Sequence, residues 1–236
     1  MELYDEELKR EVYRCGIHTT EPLSPLVDPE AMVQKVEKAA SEIVSEQRLP
    51  VIIGGDHSVS IGAIRAVANQ YGPLDIVQFD AHTDLRDSYQ GTRFSHACVM
   101  RRVWELGQIL QVGIRSTSGE EAKFLGQRGK EPIWAKDILI DLDSCIKKLV
   151  GFLSGRPIYI TIDLDCLDPG IMPSVGTPEP GGLQWHHLMA LLSAITKTGQ
   201  VKGFDVVELS PIPGLHAPDF LAARLIYRLI GYVTTS

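Results

Sequence analysis

The sequence predicts an α/β protein with a mostly parallel β-sheet, and three observations support this prediction. Five short apolar segments rich in β-branched residues are bounded by chain-breaking residues, as strands covered on both faces are. Amphipathic helical patterns lie between them, and strands that alternate with helices form parallel sheets. No internal repeat, low-complexity tract or Gly/Ser linker divides the 236 residues, so we predict a single domain over residues 1–236.

The predicted elements follow in chain order. A helix over residues 28–48 begins with Asp28 as N-cap and Pro29 at the first helical position, followed by apolar residues at helical spacing. Two further helices are predicted at residues 183–197 and 217–233, where leucine and isoleucine recur on a packing face. The five predicted strands are residues 50–53, 74–79, 108–114, 157–162 and 201–207.

Composition and charge exclude several classes of protein. Lys+Arg number 23 and Asp+Glu number 30, so the formal charge is −7, which argues against nucleic-acid binding. The apolar runs are far shorter than the ~18 residues that span a bilayer, and the acidic start of the chain does not resemble a targeting peptide. We therefore expect no membrane segment, a cytoplasmic location and reduced, mostly buried cysteines. No Walker A or GxGxxG motif follows a predicted strand, which argues against nucleotide hydrolysis and Rossmann redox chemistry.

Charged residues concentrate directly after the predicted strands, at the place where open parallel sheets bind ligands. The strand ends read Gly-Gly-Asp-His-Ser at residues 54–58, Asp-Ala-His-Thr-Asp at 80–84 and Asp-Leu-Asp-Cys-Leu-Asp-Pro at 163–169, and Glu208 follows the last strand. We expect these groups to meet along one edge of the sheet. A single Asp after a strand is most often a helix N-cap, but three clusters at fixed spacing favour a shared site.

Carboxylates and imidazoles in these clusters predict a site for two divalent cations. Residues i and i+2 of an extended chain point the same way, so Asp80 with His82, and Asp163 with Asp165, each present two ligands to one side. Four carboxylates in contact cannot all stay ionised without cations. Oxygen ligands with two imidazoles and no thiolate pattern favour a hard ion such as Mn²⁺ over a structural zinc, and two such ions balance four carboxylates. Paired ions of this kind activate water for hydrolysis.

Two other aspartates admit alternative interpretations. Asp56 and Asp168 are each expected either to cap or brace their own loop, or to support a metal ligand without binding the ion themselves. No site is assigned to the histidines that lie in a predicted helix or outside any cluster, namely His18, His186, His187 and His216.

The three motifs at residues 54–58, 80–84 and 163–169 resemble the signatures of the ureohydrolase family, which includes arginase and agmatinase. The resemblance runs from about Tyr4 to Gly231 and implies an arginase-like, three-layer αβα sandwich that binds two Mn²⁺ ions per subunit. It implies that one ion is held by His57, Asp80, Asp84 and Asp163, and the other by Asp80, His82, Asp163 and Asp165. Asp80 and Asp163 would then bridge the two ions.

The resemblance also implies catalytic roles. The segment that ends in Glu208 is similar to the family segment whose glutamate pairs with the substrate guanidinium, so Glu208 would orient the substrate. Ser95-His96 resembles the agmatinase Ser-His segment, so His96 would relay a proton near the leaving amine; a surface histidine is the alternative. In the implied reaction, activated water attacks the guanidinium carbon, and Asp84, helped by His96, protonates the departing amine.

The loop before His96 bears on the substrate. Arginases carry an asparagine-containing loop there to grip the amino-acid end of arginine, whereas residues 85–95 of this chain contain no asparagine. The segment 87–91 is similar to agmatinases, which makes agmatine the expected substrate, with putrescine and urea as products. Guanidinobutyrate, aminopropylagmatine, arginine and formimidoylglutamate remain alternatives, whereas a zinc deacetylase on a related fold would carry fewer carboxylates. The family further implies a small cationic guanidino substrate and a homo-oligomer, a trimer or hexamer.

Two features depart from the family pattern. Ala97-Cys98-Val99 stand where many agmatinases have Gly-Thr-Pro, which concerns only the detail of the loop. The segment before Tyr4 is shorter than in most members, so the family's N-terminal first strand is expected to be missing. Its absence would leave strand backbone unpaired or make residues 12–17 pair differently, and an inactive truncated family member is a further alternative.

Overall fold

The computed structural model describes residues 2–235. Its strands are β1 (Tyr4–Asp5), β2 (Arg10–Glu11), β3 (Val51–Ile53), β4 (Leu74–Phe79), β5 (Gly107–Ile114), β6 (Ile133–Trp134), β7 (Ile158–Asp163) and β8 (Val201–Val207). Its α-helices are α1 (Pro29–Ser45), α2 (Val59–Tyr71), α3 (Val99–Arg102), α4 (Gly119–Gln127), α5 (Ala135–Ile140), α6 (Leu142–Phe152), α7 (Trp185–Thr196) and α8 (Ala217–Val233). Strands β3 to β8 form one parallel sheet in the order β3-β8-β7-β4-β5-β6, and β1 pairs separately with β2.

Helices cover both faces of this sheet. Side chains of α1 to α4 pack against Leu74 and Ile76 in one core, whereas those of α5 to α8 pack against Val77 and Phe79 in the other. Consecutive side chains of β4 pack into opposite cores because side chains along a strand alternate between the two faces of the sheet. The predicted α/β sandwich with a parallel sheet is therefore confirmed.

The predicted elements agree closely with the observed ones. All five predicted strands are present, β4 and β8 have the predicted bounds, and β3 begins one residue later than predicted. Helix α1 begins as expected, with the Asp28 carboxylate accepting the Ala31 N–H at 3.1 Å, and it ends at Ser45 rather than at residue 48. The sequence pattern does not predict β6, because two residues carry too little periodicity.

Strand β3 lies at an edge of the sheet and pairs only with β8 within residues 2–235. Residues 12–15 form a 3₁₀ turn whose Val12 is fully buried and touches α8, so this segment does not take a strand position. Of the two arrangements expected here, the structure shows the unpaired edge, with Ile53 66% exposed. The absence of a first family strand stays a prediction, as does the single domain.

The N-terminal segment is attached to α8 by ion pairs. Arg228 Nε donates to Oδ2 of the fully buried Asp5 at 2.8 Å, and its Nη1 lies 3.3 Å from Glu7. A side chain at Gly231 would collide with Leu8, so glycine permits the close approach of this segment.

Two expectations from composition also have structural counterparts. The four cysteines are free thiols; Cys15 is exposed, and Cys98, Cys145 and Cys166 are buried. No helix within residues 2–235 is long and apolar enough to cross a membrane.

Candidate metal centre

A buried group of side chains surrounds His57 at the carboxyl ends of β3, β4 and β7. His57 Nδ1 lies 3.1 Å from Asp80 Oδ2, 3.0 Å from Asp84 Oδ2 and 3.3 Å from Asp163 Oδ2. All four residues are buried. Parallel strands end at the same edge of a sheet, which is why residues so far apart in sequence meet here.

A second group surrounds His82. Its Nδ1 lies 2.9 Å from Asp165 Oδ2 and 3.6 Å from Asp80 Oδ1. Asp80 therefore turns one carboxylate oxygen toward each histidine, as a carboxylate that bridges two ions does. The ligand atoms of each trio, His57 with Asp80 and Asp84, and His82 with Asp80 and Asp165, lie within 4.8 Å of one another.

Whether these residues fit a metal can be judged from the ring nitrogen of His57 that faces the cluster. His57 Nδ1 is buried and has no hydrogen-bond partner within residues 2–235, although three carboxylates lie within 3.3 Å. A buried polar atom left without a partner costs about 1–3 kcal/mol. A divalent cation between the imidazole and the carboxylates would complete its coordination, so the residues fit the pair of ions predicted from the sequence.

The carboxylates hold more negative charge than the two imidazoles can balance. Burial and the neighbouring Asp80 charge raise the pKa of Asp84 to about 7, and the same two causes raise the pKa of Asp163 and Asp165. Burial alone would lower the pKa of His82, but hydrogen bonds with Asp165 and Asp80 raise it to about 11. Without metal, the cluster therefore retains protons that divalent cations would replace.

Two of the predicted functional residues have a backbone conformation that is unusual for side-chain-bearing residues. Asp84 has φ 50° and Glu208 has φ 67°, both in the left-handed region. Contacts with neighbouring segments hold them, since the Leu85 N–H donates to buried Glu121 of α4 at 2.9 Å and the Glu208 N–H donates to Gly55 O at 3.0 Å. Such strain persists only where the surroundings enforce it, and it concentrates at functional sites.

A series of buried hydrogen bonds holds His57 on the Nε2 side of its ring, away from the carboxylate cluster. His57 Nε2 lies 2.9 Å from Thr161 Oγ1, whose hydroxyl donates to Asp205 Oδ1 at 2.6 Å, and the Tyr159 hydroxyl donates to Asp205 Oδ2 at 2.9 Å. Because the Thr161 proton goes to the carboxylate, Nε2 carries the imidazole proton and Nδ1 is left for an ion. The sequence interpretation missed Tyr159 and Thr161, although polar residues at positions 159, 161 and 163 alternate along β7 and mark one face.

The remaining predicted residues, Glu208 and His96, lie outside the two histidine-centred groups. Glu208 Oε1 accepts the His57 backbone N–H at 2.6 Å, which places the glutamate beside the metal ligands. His96 is about half-exposed, and its Nδ1 lies 3.1 Å from Asp56 Oδ2. Asp56 thus contacts a predicted catalytic residue, which neither interpretation from the sequence anticipated.

Asp168 behaves as a loop brace. Its carboxylate accepts the backbone N–H groups of Gly170, Gly181 and Gly182 at 2.9–3.1 Å, and it bonds to no predicted ligand within the described chain. The braced loop reaches the site through Thr177, whose hydroxyl donates to Asp165 Oδ2 at 3.1 Å. The sequence carried no signal for Thr177, because only the fold of this loop brings it to the ligands.

Named relatives match most of this chain. It is 38% identical to the N(1)-aminopropylagmatine ureohydrolase of Synechocystis over 240 residues, which cover 98% of this chain and 78% of the relative. It is also 38% identical to the agmatinase of Pyrococcus horikoshii over 206 residues, which cover 84% of this chain and 70% of the relative.

Solved structures agree with the sequence comparison. The agmatine ureohydrolase of Thermoplasma volcanium superposes with a TM-score of 0.88 at 32% identity, covering 99% of this chain and 79% of that protein. The arginase family model matches residues 2–231. The ureohydrolase resemblance of the three motifs is thereby confirmed, and the chain belongs to the arginase family.

Proposed function

We propose that this chain hydrolyses the guanidino group of agmatine to putrescine and urea with two Mn²⁺ ions. Members of the arginase family hydrolyse guanidino C–N bonds and depend on a binuclear metal centre; the substrate and the metal are the proposal. The observation that carries it is the buried cluster in which Asp80 offers one oxygen to each of two histidine-centred groups.

The proposed ligands follow from these distances. His57, Asp80, Asp84 and Asp163 would hold one ion, and His82, Asp80, Asp163 and Asp165 the other. Four carboxylates and two neutral imidazoles carry −4, which two divalent cations neutralise. When bound, such a pair lowers the pKa of a water so that a nucleophile is available at neutral pH.

Chain residues would position the substrate and move the proton. Glu208 would pair with the guanidinium, because burial keeps this carboxylate partly desolvated and its Oε2 makes no hydrogen bond within residues 2–235. As water adds to the guanidinium carbon and the C–N bond breaks, the electron pair leaves with the amine. Asp84 and His96 would protonate that amine, so that one water is consumed and neutral urea is released.

N(1)-aminopropylagmatine is a second candidate substrate. The relative with that name matches 98% of this chain at 38% identity, and the agmatinase relative has the same identity over a shorter stretch. Both names describe guanidino compounds with a cationic rather than an anionic far end. This agrees with a loop at residues 85–95 that lacks the asparagine expected of arginases.

The test is a substrate panel with the metal-loaded protein. We would measure bound Mn²⁺ per chain, and product release from agmatine, N(1)-aminopropylagmatine, arginine, guanidinobutyrate and formimidoylglutamate. About two ions per chain with the highest kcat/KM on agmatine would support the proposal. A preference for aminopropylagmatine would favour the second candidate, and a folded, metal-loaded protein without product from any substrate would overturn both.

The same preparation tests the remaining expectations. His96→Ala should lower turnover while bound metal is retained, because His96 contacts none of the proposed metal ligands in the described chain. Light scattering of the preparation would show whether the chain forms the expected trimer or hexamer.

A further inference from the structure

Two side chains from distant loops meet beside the metal centre. Asp56 follows β3, His96 begins the 3₁₀ turn that precedes α3, and Asp56 Oδ2 lies 3.1 Å from His96 Nδ1. The other carboxylate oxygen, Oδ1, accepts the Ser58 backbone N–H at 2.9 Å. Both oxygens of Asp56 are therefore engaged, and neither contacts a proposed metal ligand within residues 2–235.

The pair determines which imidazole nitrogen is available. A carboxylate can only accept, so Nδ1 of His96 must carry the proton of this hydrogen bond. Nε2 makes no hydrogen bond with another residue of the described chain. The Tyr89 ring packs edge-on against the imidazole at 5.5 Å and restricts its rotation.

Charges around His96 place it among the proposed catalytic groups. The hydrogen bond that His96 donates to Asp56 is the main cause that raises the pKa of His96, and the charges of the Asp84 and Glu208 carboxylates raise it further. Of these carboxylates, those of Asp84 and Glu208 are proposed to contact the substrate. An imidazole in this position can hold a proton near the leaving amine.

We propose that Asp56 is a positioning residue for His96: it holds Nδ1–H so that Nε2 is the nitrogen that delivers a proton to the leaving amine. The inference rests on the proposed function. In the step, the Nε2–H bond breaks, the amine nitrogen takes that proton with the electron pair of the broken C–N bond, and His96 is left neutral with its proton on Nδ1. Solvent then reprotonates Nε2.

A loop-capping role makes a different prediction for Asp56→Asn. The introduced amide keeps one oxygen, which can still accept the Ser58 N–H, so a cap would survive the change. Its NH₂ would then face Nδ1 and donate to it, which moves the imidazole proton to Nε2 and disfavours the imidazolium. A cap predicts little change, whereas a positioning residue predicts a loss of turnover.

The experiment is a double-mutant cycle on the Mn²⁺-loaded protein with Asp56→Asn, His96→Ala and the double variant. We expect Asp56→Asn to lower kcat by about 10- to 100-fold, with unchanged KM for agmatine and unchanged bound metal. The double variant should be no slower than His96→Ala alone, because the two residues act as one unit. Asp28→Asn is the matched control, because this exposed carboxylate caps α1, bonds to no proposed site residue within the described chain and should keep full kcat.

Three outcomes would overturn the inference while leaving the proposed function intact: wild-type kcat in Asp56→Asn, additive losses in the double variant, or a loss of metal that parallels the loss of activity. Ring ¹⁵N NMR of the metal-free protein, with the His96 signals assigned by their absence in His96→Ala, is independent of turnover. At a pH where the His96 imidazole is neutral, it should show the Nδ1–H form in the wild type and the Nε2–H form in Asp56→Asn. If wild-type protein released no urea, the proposed function would fail, and the NMR comparison would still decide whether Asp56 sets the tautomer.

Discussion

The charge of buried carboxylates is balanced in opposite ways in the N-terminal segment and at the proposed metal centre of this protein. In the N-terminal segment, the Asp5 carboxylate accepts hydrogen bonds from the Arg228 guanidinium at 2.8 Å and from the backbone N–H groups of Glu7 and Leu8 at 3.0 Å. Burial alone would raise its pKa, but these hydrogen bonds hold the pKa of Asp5 below its ordinary value. At the metal centre, burial and Asp80 raise the pKa of Asp84 to about 7.

The difference lies in where the positive charge comes from. The chain itself supplies the cation for Asp5, so that region is complete as folded polypeptide. The aspartates of the metal centre have two imidazoles beside them and no arginine or lysine ion-paired with them within residues 2–235. Their missing charge must come from solution, which is a physical reason to expect metal dependence.

The largest expected effect comes from Asp163→Ala. Removing one carboxylate from beside His57 should abolish metal binding together with urea release, a loss of about 10³-fold or more. Metal analysis and urea assays on one preparation measure both quantities. Asp75→Asn is the control, because this buried carboxylate bonds to Ser154 at 2.7 Å and should affect stability without affecting bound metal. Full activity in Asp163→Ala would end the proposed mechanism.

The next largest effect is expected where the chain supplies its own cation. Arg228→Ala would leave Asp5 buried without its partner and should lower the free energy of unfolding by about 3 kcal/mol. Arg14→Ala removes an ion pair whose arginine side chain is 72% exposed, so we expect a much smaller loss of unfolding free energy than in Arg228→Ala. Denaturant unfolding of the metal-free proteins compares them, and equal losses would show that Asp5 does not depend on Arg228.

Adding Mn²⁺ should supply part of the positive charge that the chain lacks at the proposed metal centre. At 100 times its dissociation constant, an ion that binds only the folded protein stabilises it by about 2.7 kcal/mol, or roughly 5–10 °C in Tm for a chain of this size. Thermal scans with and without Mn²⁺ measure the shift. The Arg228→Ala protein should gain as much as wild type, whereas a gain in Asp163→Ala would place the stabilising ion elsewhere.

The last expected effect concerns pH. In the metal-free fold the pKa of Asp84 is raised from 3.8 to about 7, and that of His82 from 6.5 to about 11. Both groups bind protons more tightly folded than unfolded, so their stabilisation is present at low pH. It is lost between pH 3.8 and about 7 for Asp84, and between 6.5 and about 11 for His82.

Stability of the metal-free protein should therefore fall from pH 6 to pH 8, by at most ~1.4 kcal/mol per pH unit for each proton. Bound ions displace these protons, so the metal-loaded protein should not follow this trend. The midpoints of unfolding by the denaturant urea, measured at pH 6, 7 and 8, test the prediction. Midpoints of the metal-free protein that stay constant with pH would show that the cluster carries no such protons.

Most of the fold was predictable because its signals are local. The bounds of β4 and β8 follow from apolar runs that end at charged residues, and α8 follows from apolar spacing alone. Strand β6 has only two residues, so no local pattern exists to detect it. The position of residues 12–15 against α8 depends on packing between the two ends of the chain, which local patterns do not report.

The sequence by itself determined which residues reach the proposed metal centre. Asp80, His82, Asp163 and Asp165 lie at or just beyond the ends of parallel strands, and such strands present their carboxyl ends at one edge of the sheet whatever the loops do. Only the tertiary structure decided how Asp80 divides its two oxygens, how Thr161 and Asp205 hold His57, and that Asp56 meets His96. These contacts depend on loop paths and side-chain rotamers, which are set by packing between segments far apart in sequence rather than by spacing along the chain.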